Sequence, residues 1–486
     1  MFDTPFFPAW QTRLGPPPKA RAAQALQDLR DCTLAKLEER FGALFAGEAQ
    51  LQRGTGHEVP YSVRRTWWCF LWQMLQGYAS CREVVHQLQA LAALQGRRSV
   101  SEKTGAYCLA RARLPVALLE RAVALSARAA DESVAVPTQL KGRVVKVLDG
   151  TALRLPDTPA NQALYPQPST QKPGCGFPQM NVLVVWSARG GGVLDLATGD
   201  LHQGEMRLLH RLLPGLSEND ILIYDRAAGH YGACALVRSH KMDLISRVAI
   251  RQIDWRKGQR LGPNERLVTW KKSAKRSPFM TAQEWAALPA EIIVRVIRVR
   301  VRQPGYRPRE LVLVTTLLDA QAYPAHEIAT AYLRRWRLEM CLDDIKTVMG
   351  LAAPRCLSPA MVQREVLQML VAHNLVRTVM AQAAREHDVP LDRISFTGTL
   401  DTLRSFCIAQ AGAAPAARKR LAAELLRIIA ADLVPHRPGR SEPRAVKGRP
   451  KPFPWMTCPR HSYRDGRHND SLRRRKPLSQ KTLSPT

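Results

Sequence analysis

The sequence predicts an α/β protein with a mixed-sheet core, a helical N-terminal part and a β-rich insertion. Two observations predict this fold class. Apolar residues recur at helical spacing through roughly the first 135 residues, and from Arg143 onward they form short extended runs between turn residues. A chain of 486 residues is also too long for one compact core, so we expect it to divide into several parts.

The N-terminal part, residues 1–135, is predicted to be helical. Its apolar periodicity indicates helices over Ala20–Phe45, Trp67–Leu94 and Leu109–Ala130. The last of these carries four arginines among its apolar residues, at Arg111, Arg113, Arg121 and Arg128. A basic helical bundle could bind phosphates, or its arginines could simply be solvated, and the sequence favours neither interpretation.

The first part of the core, residues 140–231, alternates extended runs with one helix. The predicted order is strand, strand, strand, helix, strand, over Val144–Leu148, Asn181–Trp186, Val193–Ala197, His202–Leu213 and Ile221–Tyr224. The first three strands are close enough in sequence to form a meander. The fourth returns through a helical crossover that is long enough for parallel pairing. This order matches the opening of a ribonuclease H-like fold.

The remainder of the chain predicts an insertion, a second part of the core and a tail. Residues 232–309 contain short strand candidates between basic turns, such as Arg266–Trp270 and Ile292–Arg302, and are interpreted as a β-rich insertion. Residues 310–435 continue the core with one strand and then helices, over Leu311–Thr316, Pro324–Met349, Ala360–His387 and Ala416–Asp432. The tail, residues 436–486, holds 14 Lys or Arg against 3 Asp or Glu, and we expect it to be disordered or to order only on DNA.

The charge balance indicates a polyanionic partner. The chain has 72 Lys and Arg against 41 Asp and Glu, a formal net charge of +31 and a pI near 10.4. Such a surplus favours nucleic acid. A structural binder of the ribosomal or chromatin type, or a protein that contacts acidic membranes, would show a similar balance. Composition therefore does not separate an enzyme from a binding protein.

Cysteine usage and the apolar runs indicate an intracellular protein. The ten cysteines form no Cys-x-x-Cys pair, so we expect reduced thiols in a cytoplasmic protein and no structural zinc. The segment Met1–Trp10 does not resemble a signal peptide. No run approaches the roughly 18 apolar residues that span a bilayer, so no membrane association is expected.

Two aspartates follow predicted core strands. Asp149 is predicted to close the first strand and Asp225 the fourth. If those strands are neighbours, the two carboxylates lie side by side and together favour a hard cation such as Mg²⁺. The alternative is that each is an ordinary turn residue, because Asp-Gly is a common hairpin signal.

A third carboxylate lies on a helix with a distinctive spacing. Tyr332, Arg335, Glu339 and Lys346 fall within roughly 60° of one another at 100° per residue. One helix face thus presents a carboxylate, two cations and a phenol, which suits a metal and phosphate oxygens. The alternative is a solvated face with a routine ion pair between residues 335 and 339. Asp343 shares this face and is the rival carboxylate.

The spacing Tyr, two residues, Arg, three residues, Glu, six residues, Lys resembles the signature of the insertion sequence 4 family of transposases. Asp149-Gly-Thr and the loop after it resemble the first-aspartate region of that family, and Tyr224-Asp225-Arg226 resembles the second. Thr104–Pro115 is similar to its N-terminal domain, and Arg437–Lys447 to its basic tail. The resemblance covers most of residues 60–455.

The resemblance implies a role for each matched residue. The metal-binding triad would be Asp149, Asp225 and Glu339, holding Mg²⁺ with Mn²⁺ as a substitute. The contacts to DNA phosphate would be Tyr332, Arg335 and Lys346. The resemblance also implies a ribonuclease H-like core with a β insertion before the glutamate, a helical N-terminal DNA-binding domain, and a homodimer on double-stranded DNA in the bacterial cytoplasm, associated with the nucleoid.

One feature of some relatives is missing. They carry a base-flipping tryptophan beside the strand before the glutamate helix, where this chain has Glu310-Leu311-Val312. Trp255 or Trp270 could substitute, although ordinary packing is the favoured interpretation of both.

The implied chemistry is cleavage at the element ends by two metal ions about 3.5–4 Å apart, followed by transfer of the 3′-hydroxyl to target DNA. Tyr332 would position the phosphate and would not attack it. Two alternatives remain open: a ribonuclease H-like nuclease without strand transfer, and an inactive DNA-binding protein derived from a transposase.

Overall fold

A nine-stranded mixed sheet forms the centre of the molecule. The computed structural model describes residues 37–38, 40–52, 60–77, 79–94, 99–134, 140–301, 309–411, 415–435 and 456. The strands are β1 Val145–Arg154, β2 Gln179–Ser187, β3 Val193–Gly199, β4 Ile221–Ile223, β5 Asp243–Val248, β6 Gln259–Gly262, β7 Glu265–Lys271, β8 Glu291–Val301 and β9 Arg309–Thr315. Their order across the sheet is β3-β2-β1-β4-β5-β9-β8-β7-β6.

The strand directions confirm the predicted meander and parallel return. β1, β2 and β3 pair antiparallel in succession, and β4 pairs parallel to β1. β5 then pairs parallel to β4, and the remaining neighbours are antiparallel. β2 is a nearly continuous apolar run because each of its two faces packs against a hydrophobic core. Val184 belongs to one core and Val185 to the other.

Helices cover both faces of the sheet. The helices are α1 Val63–Leu75, α2 Cys81–Leu94, α3 Gly105–Arg113, α4 Val116–Glu132, α5 Pro159–Leu164, α6 Glu205–Leu212, α7 Tyr231–Ser239, α8 Ala282–Ala287, α9 Ala325–Asp343, α10 Pro359–Glu386, α11 Phe396–Ala411 and α12 Pro415–Ala431. The first core cluster contains residues of α1, α4, α9 and α10, and the second contains residues of α6 and α7. Side chains of β1 alternate between them, with Val147 in the first core and Leu148 in the second.

The long helix α10 joins the N-terminal helices to the sheet. Asn374 at its centre is fully buried and satisfies groups on two other elements. Its side-chain Nδ2 donates to the Val123 carbonyl of α4 and the Val193 carbonyl of β3, at 3.1 and 2.9 Å, and its Oδ1 accepts from Val193 N–H at 2.7 Å. The N-terminal helices therefore share one core with the sheet.

Two of the predicted N-terminal helices are interrupted. The predicted helix over Trp67–Leu94 is two helices, because Gly77 adopts a left-handed φ of 70° and Ser80 begins α2 by exchanging capping hydrogen bonds with Glu83. The predicted helix over Leu109–Ala130 is likewise two, since Pro115 holds the residue before it in an extended conformation. Most of Ala20–Phe45 and nearly all of the tail lie outside the described residues.

The predicted insertion lies within the same sheet. Its two strand candidates correspond to β7 and β8, and β9 pairs with both β8 and β5. The same segment, residues 232–309, also contains most of α7 and all of β5, the strand parallel to β4. The domain boundaries stay a prediction.

Within the described ranges, no helix combines the length and apolar character needed to cross a bilayer.

Candidate active site

Asp149 lies within β1, and Asp225 lies two residues beyond the end of the neighbouring parallel strand β4. The register pairs Val147 of β1 with Ile223 of β4, and each aspartate follows its partner by two residues. Neighbouring strands lie about 4.8 Å apart, so the aspartate positions are adjacent. The expectation that Asp149 closes its strand is wrong, because β1 continues to Arg154 and Asp149 pairs with Val184 of β2. β1 extends past the end of the shorter β4, and this overhang leaves Asp149 beside the crevice.

The chain around Asp225 is fixed by hydrogen bonds. Its carboxylate caps the short 3₁₀ turn Arg226–Ala228 and accepts from the Ala227 N–H at 2.7 Å. The hydroxyl of Ser246 on β5 donates to the Asp225 carbonyl. The Asp225 position is therefore held by its own turn and by the next parallel strand.

Helix α9 presents Arg335 to the aspartates. The helix contacts β1, β4 and β5, and the Arg335 Nη1 lies 4.0 Å from the Asp149 Oδ1. Tyr332, one turn earlier, is 2% exposed, and the Arg335 guanidinium lies 5.8 Å from its ring centroid. Burial raises the pKa of Tyr332, although the charges of Arg335 and Arg247 oppose that rise. Both residues thus lie on the helix face turned toward the aspartate pair, as the spacing predicted.

The remaining two signature residues differ from the simple helical prediction. Glu339 lies in α9, and its side chain is outside the described part of the structure. Lys346 lies beyond α9, in a π-helical turn over Asp344–Val348, so a constant 100° per residue does not hold to this point. The turn lies against the end of β1. The Lys346 carbonyl accepts from Ala352 N–H at 3.2 Å, and the Ala352 carbonyl accepts from Arg154 N–H at 3.2 Å.

The rival carboxylate, Asp343, is exposed at the end of α9. Its Oδ1 accepts a hydrogen bond from the Thr347 hydroxyl at 2.7 Å. This contact is local, between residues one turn apart.

Glu205 is a carboxylate near the aspartates that the sequence analysis missed. It opens α6, and its Oε2 accepts from the Tyr224 hydroxyl at 2.9 Å. Burial and the nearby charges of Glu205, Asp225 and Asp149 raise the pKa of Tyr224. A glutamate in the first turn of a helix is a common helix-start signal, so nothing in the sequence distinguished Glu205.

The donor set suits a hard divalent cation. Two carboxylates at adjacent strand positions repel each other and supply the oxygen ligands that Mg²⁺ prefers. Among the side chains that the structure describes, no three His, Cys, Asp or Glu residues are grouped closely enough to hold a metal ion. The Glu339 side chain is not among these described side chains. The third ligand therefore stays a prediction from the family signature.

The two tryptophans proposed as substitutes lie against the second core. Trp255 is partly buried, and the Arg298 guanidinium lies 4.3 Å from its ring centroid. Trp270 of β7 is also partly buried and packs against the same core. These contacts agree with the packing interpretation of both residues.

Asp344, in the π-helical turn, should make stability depend on pH. Burial raises the pKa of Asp344 to about 7, and the charge of Arg377 opposes this rise. A carboxyl group whose pKa is raised by folding contributes stability that is present below its unfolded pKa, near 3.8, and is lost as pH rises to about 7. Asp344→Asn should therefore be more stable than the wild type at pH 8, by about 2 kcal/mol or more, with the difference shrinking toward pH 4. Urea unfolding at both pH values measures this difference. The exposed Asp388→Asn is the control, and equal stability of wild type and Asp344→Asn at pH 8 would contradict the prediction.

Comparisons with known proteins show what this chain is similar to. Residues 140–375, which include both aspartates and α9, match the transposase DDE domain family. Transposase InsG for insertion sequence element IS4 of Escherichia coli (strain K12) is 25% identical over 402 residues, covering 81% of this chain and 87% of that protein. A cryo-EM structure of a piggyBac transposase synaptic complex with hairpin DNA has a TM-score of 0.39 at 9% identity, covering 84% of this chain and 83% of that one.

The matched domain defines the class of protein: the chain is a DDE transposase, a polynucleotidyl transferase and endonuclease of DNA transposition. Its similarity to InsG along most of both chains places it in the insertion sequence 4 family. The family predicted from the Tyr332–Lys346 spacing is thereby confirmed. Enzymes of this class bind DNA and generally use divalent metal ions.

Proposed function

We propose that Asp149, Asp225 and Glu339 hold divalent cations, Mg²⁺ with Mn²⁺ as a substitute, and that this centre cleaves the element ends and joins their 3′-hydroxyls to target DNA. The observation that carries the proposal is that Asp149 and Asp225 each follow the paired residues Val147 and Ile223 of two parallel strands by two positions, with Arg335 of the neighbouring helix 4.0 Å from Asp149. This arrangement supports a site in which side chains far apart in sequence would act together on a DNA strand.

In this proposal the carboxylates bind the cations and the basic side chains bind DNA phosphate. Asp149, Asp225 and Glu339 would hold the divalent cations, which would supply Lewis-acid activation of a water and of the leaving 3′ oxygen. The aspartates hold the cations on strands whose register is fixed by the sheet, so the site needs little rearrangement for reaction. Arg335, held against Tyr332, is placed to contact a phosphate oxygen beside the aspartates. No step requires a covalent bond between Tyr332 and DNA.

Lys346 is proposed as the second phosphate contact. Its carbonyl is linked through Ala352 to Arg154, at the end of β1 that projects beyond Asp149. A lysine there would contact the DNA backbone a few nucleotides from the cut. Each such contact adds counterion release, so DNA binding should weaken steeply with salt.

The proposed architecture is a ribonuclease H-like core formed by residues 140–231 and 310–435. Its support is the order β3-β2-β1-β4, with β2 antiparallel and β4 parallel to β1. β5, which pairs parallel to β4, continues this sheet from the segment assigned to the insertion. Residues 1–135 would bind DNA as a helical domain, residues 232–309 form the β-rich insertion, and residues 436–486 form the basic tail. A homodimer would hold two element ends together, in a bacterial cytoplasm.

Strand transfer is the test of this function. Oligonucleotides carrying the inverted repeats from either side of the reading frame, with a pre-cut 3′ end, are incubated with the full chain, plasmid DNA and Mg²⁺. We expect joining of the 3′ end to the plasmid, and loss of joining in EDTA. Cleavage of an uncut end without joining would favour a nuclease. Binding with neither cleavage nor joining would favour an inactive DNA-binding protein.

A further inference from the structure

Glu205 links the two strands that carry the aspartates, from the opposite face of the sheet. Its Oε1 lies against Gly150, the residue after Asp149, so closely that a Cβ at this position would collide with it. Its Oε2 accepts the hydrogen bond from Tyr224, the residue before Asp225. One carboxylate therefore touches the immediate neighbour of each aspartate.

The alternation of side chains along the strands places Glu205 on the face of the sheet opposite the aspartates. Successive side chains on a strand point to opposite faces, so Gly150 and Tyr224 face away from the aspartates. Leu148 and Tyr224 belong to the second core, whereas Val147 and Ile223 belong to the first, on the side of α9. Because Gly150 has no side chain, the Glu205 carboxylate approaches the β1 backbone directly behind Asp149. Helix α6 also contacts the 3₁₀ turn that Asp225 caps.

We propose that Glu205 is a positioning residue of the metal centre: its charge strengthens cation binding at Asp149 and Asp225 from behind the sheet, where it lies beside the immediate neighbour of each aspartate. This inference rests on the proposed function of the aspartates. Glu205 is not offered as a direct metal ligand. Glu205 acts through the electrostatic field of its charge and through the backbone of β1 that it contacts.

The ordinary role of such a glutamate is to stabilise its own helix. An acidic residue in a first turn interacts with the helix dipole, and that interaction contributes to stability and not to metal binding. The two roles make different predictions. A charge near a divalent cation changes cation affinity, whereas a helix-dipole contact changes only the unfolding temperature.

Direct cation binding separates these roles. Mn²⁺ is titrated into the full chain and followed by electron paramagnetic resonance, with unfolding temperature measured alongside. Glu205→Gln keeps the shape and an acceptor for Tyr224 but removes the charge, and it should weaken Mn²⁺ binding roughly tenfold. Glu205→Asp keeps the charge and should stay within about threefold of the wild type. Glu218→Gln, at an exposed glutamate paired with Lys241, is the matched control and should bind as the wild type does.

The activity of the same variants gives a second readout. For Glu205→Gln, the Mg²⁺ concentration at half-maximal cleavage should rise roughly tenfold, with the rate at saturating Mg²⁺ within about threefold of the wild type. Mn²⁺ affinity of Glu205→Gln within twofold of the wild type would overturn the proposal. Equal weakening in the Gln and Asp variants, together with lower unfolding temperatures, would also overturn it, because that pattern is structural.

One further variant separates this inference from the function on which it rests. Asp149→Asn should abolish Mn²⁺ binding. If Asp149→Asn binds Mn²⁺ as the wild type does, the proposed metal centre is wrong. If it loses binding while Glu205→Gln does not, the centre stands and only the role of Glu205 fails.

Discussion

Replacing Asp225 by Asn should lower the rate of DNA cleavage about 10³-fold or more and leave the fold intact. The bound cations are expected to supply several kcal/mol of transition-state stabilisation, and about 4 kcal/mol corresponds to that factor. Asn removes the ligand charge yet caps helical turns as well as Asp does, so the bond to Ala227 N–H can persist. The loss would therefore report chemistry and not unfolding.

Cleavage of a labelled element end under single-turnover conditions measures this effect. The control is Asp401→Asn, at an exposed aspartate of α11 paired with Arg404, which should cleave at the wild-type rate. Circular dichroism and unfolding temperature check that both variants are folded. A cleavage rate for Asp225→Asn within tenfold of the wild type would remove Asp225 from the metal centre.

The second prediction with a large expected effect concerns which carboxylate of the α9 segment is the third ligand of the metal centre. Glu339→Gln should lower the rate of DNA cleavage as much as Asp225→Asn does, whereas Asp343→Asn should retain most of the activity. The structural reason for the second expectation is that Asp343 is exposed and accepts a local hydrogen bond from Thr347, which Asn can also accept. The reason for the first is the resemblance to the family signature, which implies that Glu339 is the metal-binding glutamate.

These two variants are matched, because each exchanges a carboxylate for its amide in the same helix. Cleavage and Mn²⁺ binding are measured together, so a lost ligand is distinguished from a lost DNA contact. Full activity of Glu339→Gln, combined with an inactive Asp343→Asn, would transfer the third-ligand role to Asp343. The family assignment would remain, since it rests on residues 140–375 and on similarity to InsG.

Much of the core was predictable because its signals are local. The apolar runs of β1 to β4 and the amphipathic α6 each depend on residues within one element, and the predicted meander and parallel return are present. The spacing of Tyr332 and Arg335 also placed both on one face, because α9 is regular through that stretch.

The errors came from places where short signals override periodicity. A glycine with positive φ and a capping serine divide one predicted N-terminal helix, and a proline divides another. The π-helical turn over Asp344–Val348 shifts Lys346 from the face expected for a straight helix. In each case the apolar pattern continues across the break, so periodicity alone does not reveal it.

The sequence by itself determined the class of element at most positions, the basic character of the chain and the family signature, because composition, periodicity and spacing are properties of the chain alone. Only the tertiary structure decided that Asp149 lies within β1, that Asp225 lies two residues beyond the end of the neighbouring β4, and that Glu205 reaches the backbone behind Asp149. These facts depend on strand register and on the absence of a side chain at Gly150. They arise when distant segments pack together, and no local pattern encodes them.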